Sequence, residues 1–220
     1  TVPSTIAFYN SVRIMGYNAI CLKDVLPENT IYDLKRLIGR KFDDPDIQKM
    51  KDFITYNICE NEKTGNIDIL VNNKKYKVED LYSSFISELR IQCLEYLKLP
   101  LTSELNAIVT IPAYFNESQI QATLDSARIA GLNVIKTIKE PTAAALAYGL
   151  VNRNGMIGKC IIYDLGAGTL DVSLIEMNGG FFRTLAVSGN SFLGGEDFDF
   201  AIMNHCIKEF RKTYRLSKNI

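Results

Sequence analysis

Two aspartates, Asp164 and Asp171, flank the small-residue turn Gly166-Ala167-Gly168-Thr169. A turn without bulky side chains lets a ligand approach the main chain and can aim consecutive N–H groups at phosphate oxygens. A carboxylate at the end of the preceding strand suits a hydrated magnesium ion, which takes one or two protein oxygens and keeps most of its water. The competing reading is a plain glycine hairpin with incidental acids. No GxxxxGK[ST] sequence occurs, and the glycines precede a strand rather than a helix, so neither the P-loop nor the Rossmann fingerprint accounts for them. The segment points to a different phosphate device.

Other reactive groups carry less. His205 is the single histidine, and with no second ligand or nucleophile beside it a structural or surface role is expected. Cys21, Cys59, Cys93, Cys160 and Cys206 are scattered, without a CxxC pair or a histidine cluster to complete a zinc site. They read as reduced, buried small hydrophobes in a cytosol-like compartment. Phe181, Phe182, Phe192, Phe198 and Phe200 read as packing between strands and helix.

Composition bounds the rest. The chain has 220 residues, 47% hydrophobic and 23% charged, which supports a real core and argues against disorder. Lys plus Arg and Asp plus Glu each count 25, so no global basic field exists to hold nucleic acid or an acidic membrane. No apolar run is long enough to span a bilayer, and TVPSTIAFYN lacks signal-peptide regions. A soluble protein with no nucleic-acid or membrane partner is expected.

Periodicity places these residues on elements. The first forty residues look irregular, with Pro3 and Pro27 as breakers and a helix expected from Ile31 to Ile38. Between Lys41 and Lys77, short β-like runs alternate with turns at Thr64-Gly65-Asn66 and Asn72-Asn73, a hairpin-rich module. Val78, Leu81, Tyr82, Phe85, Ile86, Leu89, Cys93, Leu94 and Leu97 predict an amphipathic helix ending near Pro100. A strand over Ala107–Ile111, closed by Pro112, leads to a helix over Ser118–Ala130 with Asn116 and Gln119 as a capping box and Gly131 as its stop. A strand over Val134–Ile138 and a helix opened by Pro141 follow. Strands Cys160–Asp164, Leu170–Glu176 and Phe181–Val187, the last two joined by Asn178-Gly179-Gly180, form a meander. An amphipathic helix over Phe198–Tyr214 closes an α/β chain.

Five separated segments then share one resemblance: IYDLKRLIGRKFDD (Ile31–Asp44), IVTIPAYFNESQIQAT (Ile108–Thr123), IAGLNVIKTIKEPTAAALAYGL (Ile129–Leu150), IIYDLGAGTLDVS (Ile161–Ser173) and LGGEDFD (Leu193–Asp199). In this order they resemble the nucleotide-binding domain of the seventy-kilodalton heat-shock chaperone family, and TVPSTIAF is similar to the family segment after its first β-hairpin. The resemblance implies an actin-like ATPase fold, related to ribonuclease H, in an incomplete two-lobed domain. Residues 1–153 would form most of lobe I, with 4–80 as a small outer subdomain and 81–153 as the inner one, and residues 154–220 would begin lobe II. It implies ATP or ADP with Mg2+ as cofactors.

Roles come by the same resemblance. Lys35 would contact the γ-phosphate and the attacking water. Glu140 would order magnesium-bound water, and Asp164 and Asp171 would bracket the metal and the nucleophile. Gly166, Ala167, Gly168 and Thr169 would form a phosphate-binding turn, and Pro112 would sit in the interdomain switch loop. Alone, Lys35 reads as a solvated helix lysine and Glu140 as a helix N-terminal acid; the joint pattern reverses that. Three departures stand out. Ile120 occupies the switch arginine's position and cannot make a guanidinium's hydrogen bonds. Lys139 replaces an asparagine, and Ala167 replaces the middle glycine of a triple-glycine turn. A methyl at position 167 is expected to weaken ATP handling if the turn needs positive φ.

The family's first phosphate hairpin, adenine-binding helix, second glycine turn and peptide-binding domain find no match, so the segment reads as truncated at both ends. An ATP-dependent protein-folding chaperone is expected, with little turnover from this chain alone. Its partners would be unfolded polypeptide through a missing domain, a J-domain co-chaperone and a nucleotide-exchange factor. The cytoplasm is the expected location, with the reticulum or an organelle as alternatives. A non-hydrolysing relative serving as exchange factor, co-chaperone or scaffold is the rival, and a sugar kinase lacks the KEPTAAALAYGL and LGGEDFD context. Exposed apolar surface, and with it self-association, is anticipated.

Overall fold

The computed structural model describes residues 2–10, 12–151, 157–179 and 181–215. The expected lobe boundary at 153/154 and Gly180 of the turn between the last two strands lie outside them. The chain divides into two compact units: Thr1–Ile111 with Phe115–Lys139, and Pro112–Tyr114 with Glu140–Ile220.

In the first unit, the stretch expected to be irregular forms a small antiparallel sheet of β1 (Ile6–Tyr9), β2 (Val12–Met15) and β3 (Thr30–Ile31), with β1 in the centre. The short helix α1 (Tyr17–Ile20) follows β2. Ile6, Ala7 and Phe8 are buried in succession, so β1 shows no alternation for sequence reading to find. The helix expected over 31–38 shortens to α2 (Leu34–Leu37), opened by Asp33 in the left-handed region at φ 58. Helix α3 (Pro45–Met50) starts on Asp44, whose side chain accepts from the Asp46 N–H.

The hairpin-rich module is a three-stranded antiparallel sheet of β4 (Asn57–Glu60), β5 (Ile67–Val71) and β6 (Lys74–Lys77). Val71 pairs with Lys74 across a two-residue turn in which Asn72 and Asn73 have φ of 50° and 60°. Two left-handed residues give the turn a twist that matches the strands, and asparagine tolerates that conformation.

Helix α4 (Val78–Tyr96) buries Val78, Leu81, Phe85 and Leu94. A fully buried apolar side chain of this size contributes about 1.5–3 kcal/mol. Cys93 and Leu97, expected on the same stripe, are exposed. Lys98 at φ 55 ends the helix, in the left-handed position more often given to glycine. Strand β7 (Leu105–Ile111), helix α5 (Glu117–Ile129) and the parallel strand β8 (Leu132–Lys139) form a βαβ unit. The expected capping box is present: Asn116 Oδ1 accepts from the Gln119 N–H at 2.9 Å, and Gln119 Oε1 accepts from the Asn116 N–H at 3.2 Å.

In the second unit, helix α6 (Glu140–Val151) packs on a meander of β9 (Gly158–Leu165), β10 (Leu170–Asn178) and β11 (Phe181–Asn190). Ala145, Ile175 and Met177 are its buried centre, with Cys160, Ile162 and Phe182 against them. Helix α7 (Gly195–Tyr214) is longer than expected at its start and buries no residue. The packing expected of Phe181 and Phe198 is therefore corrected: both are exposed, whereas Phe182 joins the core.

The cysteine expectation is corrected too. All five are free, but Cys21, Cys93 and Cys206 are exposed and only Cys59 and Cys160 are partly buried. Local apolar neighbours in sequence do not decide which helix face a residue occupies. No helix among the described residues is long and apolar enough to cross a membrane.

Candidate phosphate and metal site

Asp164 is the penultimate residue of β9 and Asp171 the second residue of β10, and the antiparallel register pairs them directly. Directly paired residues project to the same face with Cβ atoms about 4.5–5.5 Å apart, and like charges so placed repel. Asp171 is 2% exposed. Its Oδ1 accepts from the Ala113 N–H at 3.2 Å, which ties the Pro112–Tyr114 segment of the same unit to this carboxylate. Among the described residues no group of three or more His, Cys, Asp or Glu could hold a metal. Two hard carboxylates rather than a full cage is the donor set that magnesium uses when water and substrate phosphate supply its other ligands, so these residues fit that ion.

The loop between the carboxylates is closed by the Gly166 N–H donating to Thr169 O at 2.9 Å. Two of its carbonyls are held from one side: Gly195 N–H donates to Gly166 O at 3.0 Å, and Glu196 N–H donates to Ala167 O at 2.9 Å. In a planar trans peptide the N–H points opposite to the C=O. The Ala167 and Gly168 N–H groups are thereby directed away from the start of α7. Ala167 is not among the positive-φ residues. Its methyl is compatible with the turn, and the condition under which it would weaken ATP handling is not met.

The LGGEDFD segment packs its glycines against the 166–169 turn. Gly194 lies so close to the turn that a Cβ there would sit 2.5 Å from Gly168 N and nearer still to the Ala167 carbonyl. Its N–H donates to Asp197 Oδ2 at 2.7 Å, which fixes the start of α7. Two adjacent glycines before an acidic helix start were the available signal; their contact, some 28 residues away along the chain, was not.

Glu140 is the first residue of α6 and half-buried, where a carboxylate is favoured by the helix N-terminus. Pro112 is buried, in the same unit as Glu140, Asp164, Asp171 and the 166–169 turn. Lys35 on α2, Ile120 on α5 and Lys139 at the end of β8 belong to the other unit. Lys35 and Ile120 are half-buried and Lys139 is exposed.

Comparison with known proteins shows the family. The sequence matches the family described as Hsp70 protein over residues 1–219. It is 49% identical over 232 residues to "Heat shock protein 70 homolog" of Acanthamoeba polyphaga mimivirus, covering 99% of this chain and 24% of that protein. It is 40% identical to "Heat shock 70 kDa protein 2" of Paracoccidioides lutzii (strain ATCC MYA-826 / Pb01), covering 100% of this chain and 34% of that one. "Heat shock 70-related protein 1, mitochondrial" of Leishmania major is 42% identical, with 97% and 33% covered. The chain thus spans about a quarter to a third of the length of these relatives. The chain therefore belongs to the Hsp70 family, and its mixed α/β units carry part of that family's actin-like ATPase fold.

Proposed function

We propose that this chain supplies part of the ATP-binding and ATP-hydrolysing machinery of a protein-folding chaperone, whose nucleotide state governs binding of unfolded polypeptide by another domain. The observation that carries the reading is the Asp164–Asp171 pair beside a turn whose carbonyls are tied to α7. Phosphoryl transfer passes through a state with dispersed negative charge, so positioning and charge neutralisation do most of the catalysis. Ala167, Gly168 and Thr169 main-chain groups receive phosphate oxygens. Asp164, Glu140 and Asp171 are the residues that would hold magnesium. Magnesium, when bound, neutralises phosphate charge and orders water. Asp171 and Lys35 orient the attacking water, and Lys35 also meets the γ-phosphate. Residues 1–153 and 154–220 serve as the lobe I and lobe II portions.

Pro112 sits in the switch segment. Ile120 there removes the cationic hydrogen bonds expected of an arginine, so a J-domain co-chaperone and a nucleotide-exchange factor act through an altered switch. The five free cysteines support a reducing, cytoplasmic location. Equilibrium titration of the purified chain with ATP, with and without Mg2+, tests the reading. Weak, magnesium-dependent binding with little turnover is expected, and binding that Asp164→Asn leaves unaltered would contradict the assignment.

A further inference from the structure

Gly39 has φ 67. A Cβ on it would lie 2.6 Å from Gln119 Cα, 2.7 Å from Ser118 O and 2.8 Å from Gln119 N. These are main-chain atoms, which cannot swing aside as a flexible side chain does, so the Gly39 backbone is seated directly on the first turn of α5. That turn is itself held. Gln119 is 3% exposed and fixed by its reciprocal hydrogen bonds with Asn116. On the other side of the contact, Gly39 follows α2, which is locked by Leu34, Leu37 and Ile38 at 2%, 0% and 0% exposure and packs against α4. Lys35 stands four residues before Gly39, half-buried between Leu34 and Arg36. A helix turn buried on this scale moves as a body, and its side chains move with it.

We propose that Gly39 is a positioning residue for Lys35: its seat on Gln119 sets where α2 and the Lys35 amine stand, and a displacement of the first turn of α5 reaches Lys35 by main-chain contact. The joint needs no cation at position 120, where this chain has Ile120. Its bearing on nucleotide chemistry rests on the role of Lys35 proposed above; the joint itself does not.

Competitive acylation of lysines in the full chain, followed by mass spectrometry across the alkaline range, reads the surroundings of Lys35. The variants are Gly39→Ala, Asn116→Ala, which removes the cap that holds Gln119, and Gly65→Ala. Gly65 has φ 68 and a Cβ there meets nothing nearer than 3.8 Å, so it reproduces the backbone strain without the contact. Gly39→Ala and Asn116→Ala are expected to change the Lys35 labelling profile by about threefold or more, as altered solvation and charge around an amine do, while Gly65→Ala leaves it unchanged. A Gly39→Ala profile that superimposes on the parent, or an equal change in Gly65→Ala, overturns the proposal. Should Gly39→Ala not fold, an unchanged Asn116→Ala profile overturns it. Magnesium ATP added to the parent chain separates the two readings. Protection of Lys35 with an unchanged Gly39→Ala profile removes the joint alone, whereas no protection with a changed profile supports the joint and removes the nucleotide role.

Discussion

The Ala113 main-chain N–H donates to Asp171 Oδ1 at 3.2 Å, and the accepting carboxylate is 2% exposed. One side chain therefore both faces Asp164 across the strand pair and anchors the residue that follows Pro112. Asp171→Ala leaves a buried N–H without this acceptor and is expected to cost about 1–3 kcal/mol. Asp171→Asn keeps an oxygen and removes the repulsion with Asp164, so it is expected to cost less. Denaturant unfolding of both variants checks the order; equal losses would show that the carboxylate does not hold Ala113.

Ala167 and Gly194 are adjacent in space, yet only one of them is expected to matter to phosphate binding. Ala167→Gly is expected to lower stability by about 0.4–1 kcal/mol through the unfolded chain and to leave ATP affinity unchanged, because position 167 does not use positive φ. Gly194→Ala drives a methyl into the main chain of the turn, an overpacking expected to cost about 1–3 kcal/mol and to weaken phosphate binding. Thermal unfolding with and without nucleotide distinguishes them.

Burial raises the Cys59 thiol above its ordinary value, with Asp68 adding to the rise and Lys75 opposing it. The folded state then keeps the proton that the unfolded state releases first. Stability is fully present below the unfolded thiol's pKa and falls as pH rises toward and through the folded one. Cys59→Ser is expected to flatten that alkaline decline in unfolding free energy. Cys59 is also expected to react with alkylating reagents more slowly than exposed Cys21, Cys93 and Cys206.

One face of the β9–β10–β11 meander carries Ile161, Tyr163 and Leu165 opposite Leu174, Val172 and Leu170. Ile161 is 68% exposed and Tyr163 64%. Phe198, Ile202 and Phe210 on α7 are exposed as well. Contiguous apolar surface of this kind favours association. Sedimentation of the isolated chain is expected to show concentration-dependent oligomers, and Ile161→Lys with Tyr163→Lys is expected to raise the monomer fraction.

Legibility in the sequence follows how local each determinant is. Helix α4, the Asn116–Gln119 capping box, the Asn72-Asn73 turn and the three-stranded meander depend on periodicity or on neighbours a few residues apart, and all were readable. Strand β1 was not, because Ile6-Ala7-Phe8 is buried on both faces, and α2 and α3 are too short to display a helical period. At the site, the acids and the glycine turn were legible as types and spacing. The seating of Gly194 on Ala167 and of Gly39 on Gln119 was not, since each joins distant segments through main-chain atoms that leave no periodic trace.

The Asp164–Asp171 pair and the turn between them are proposed to serve magnesium-dependent ATP hydrolysis. The most direct test is single-turnover hydrolysis by a chimera in which residues 1–220 replace the corresponding segment of a full-length relative, with Asp171→Asn alongside. The account predicts magnesium-dependent hydrolysis, slowed at least about a hundredfold by Asp171→Asn, as loss of a group that orients the nucleophile does. Tight ATP binding without turnover, with or without magnesium, would contradict it and indicate a nucleotide-binding scaffold or exchange factor.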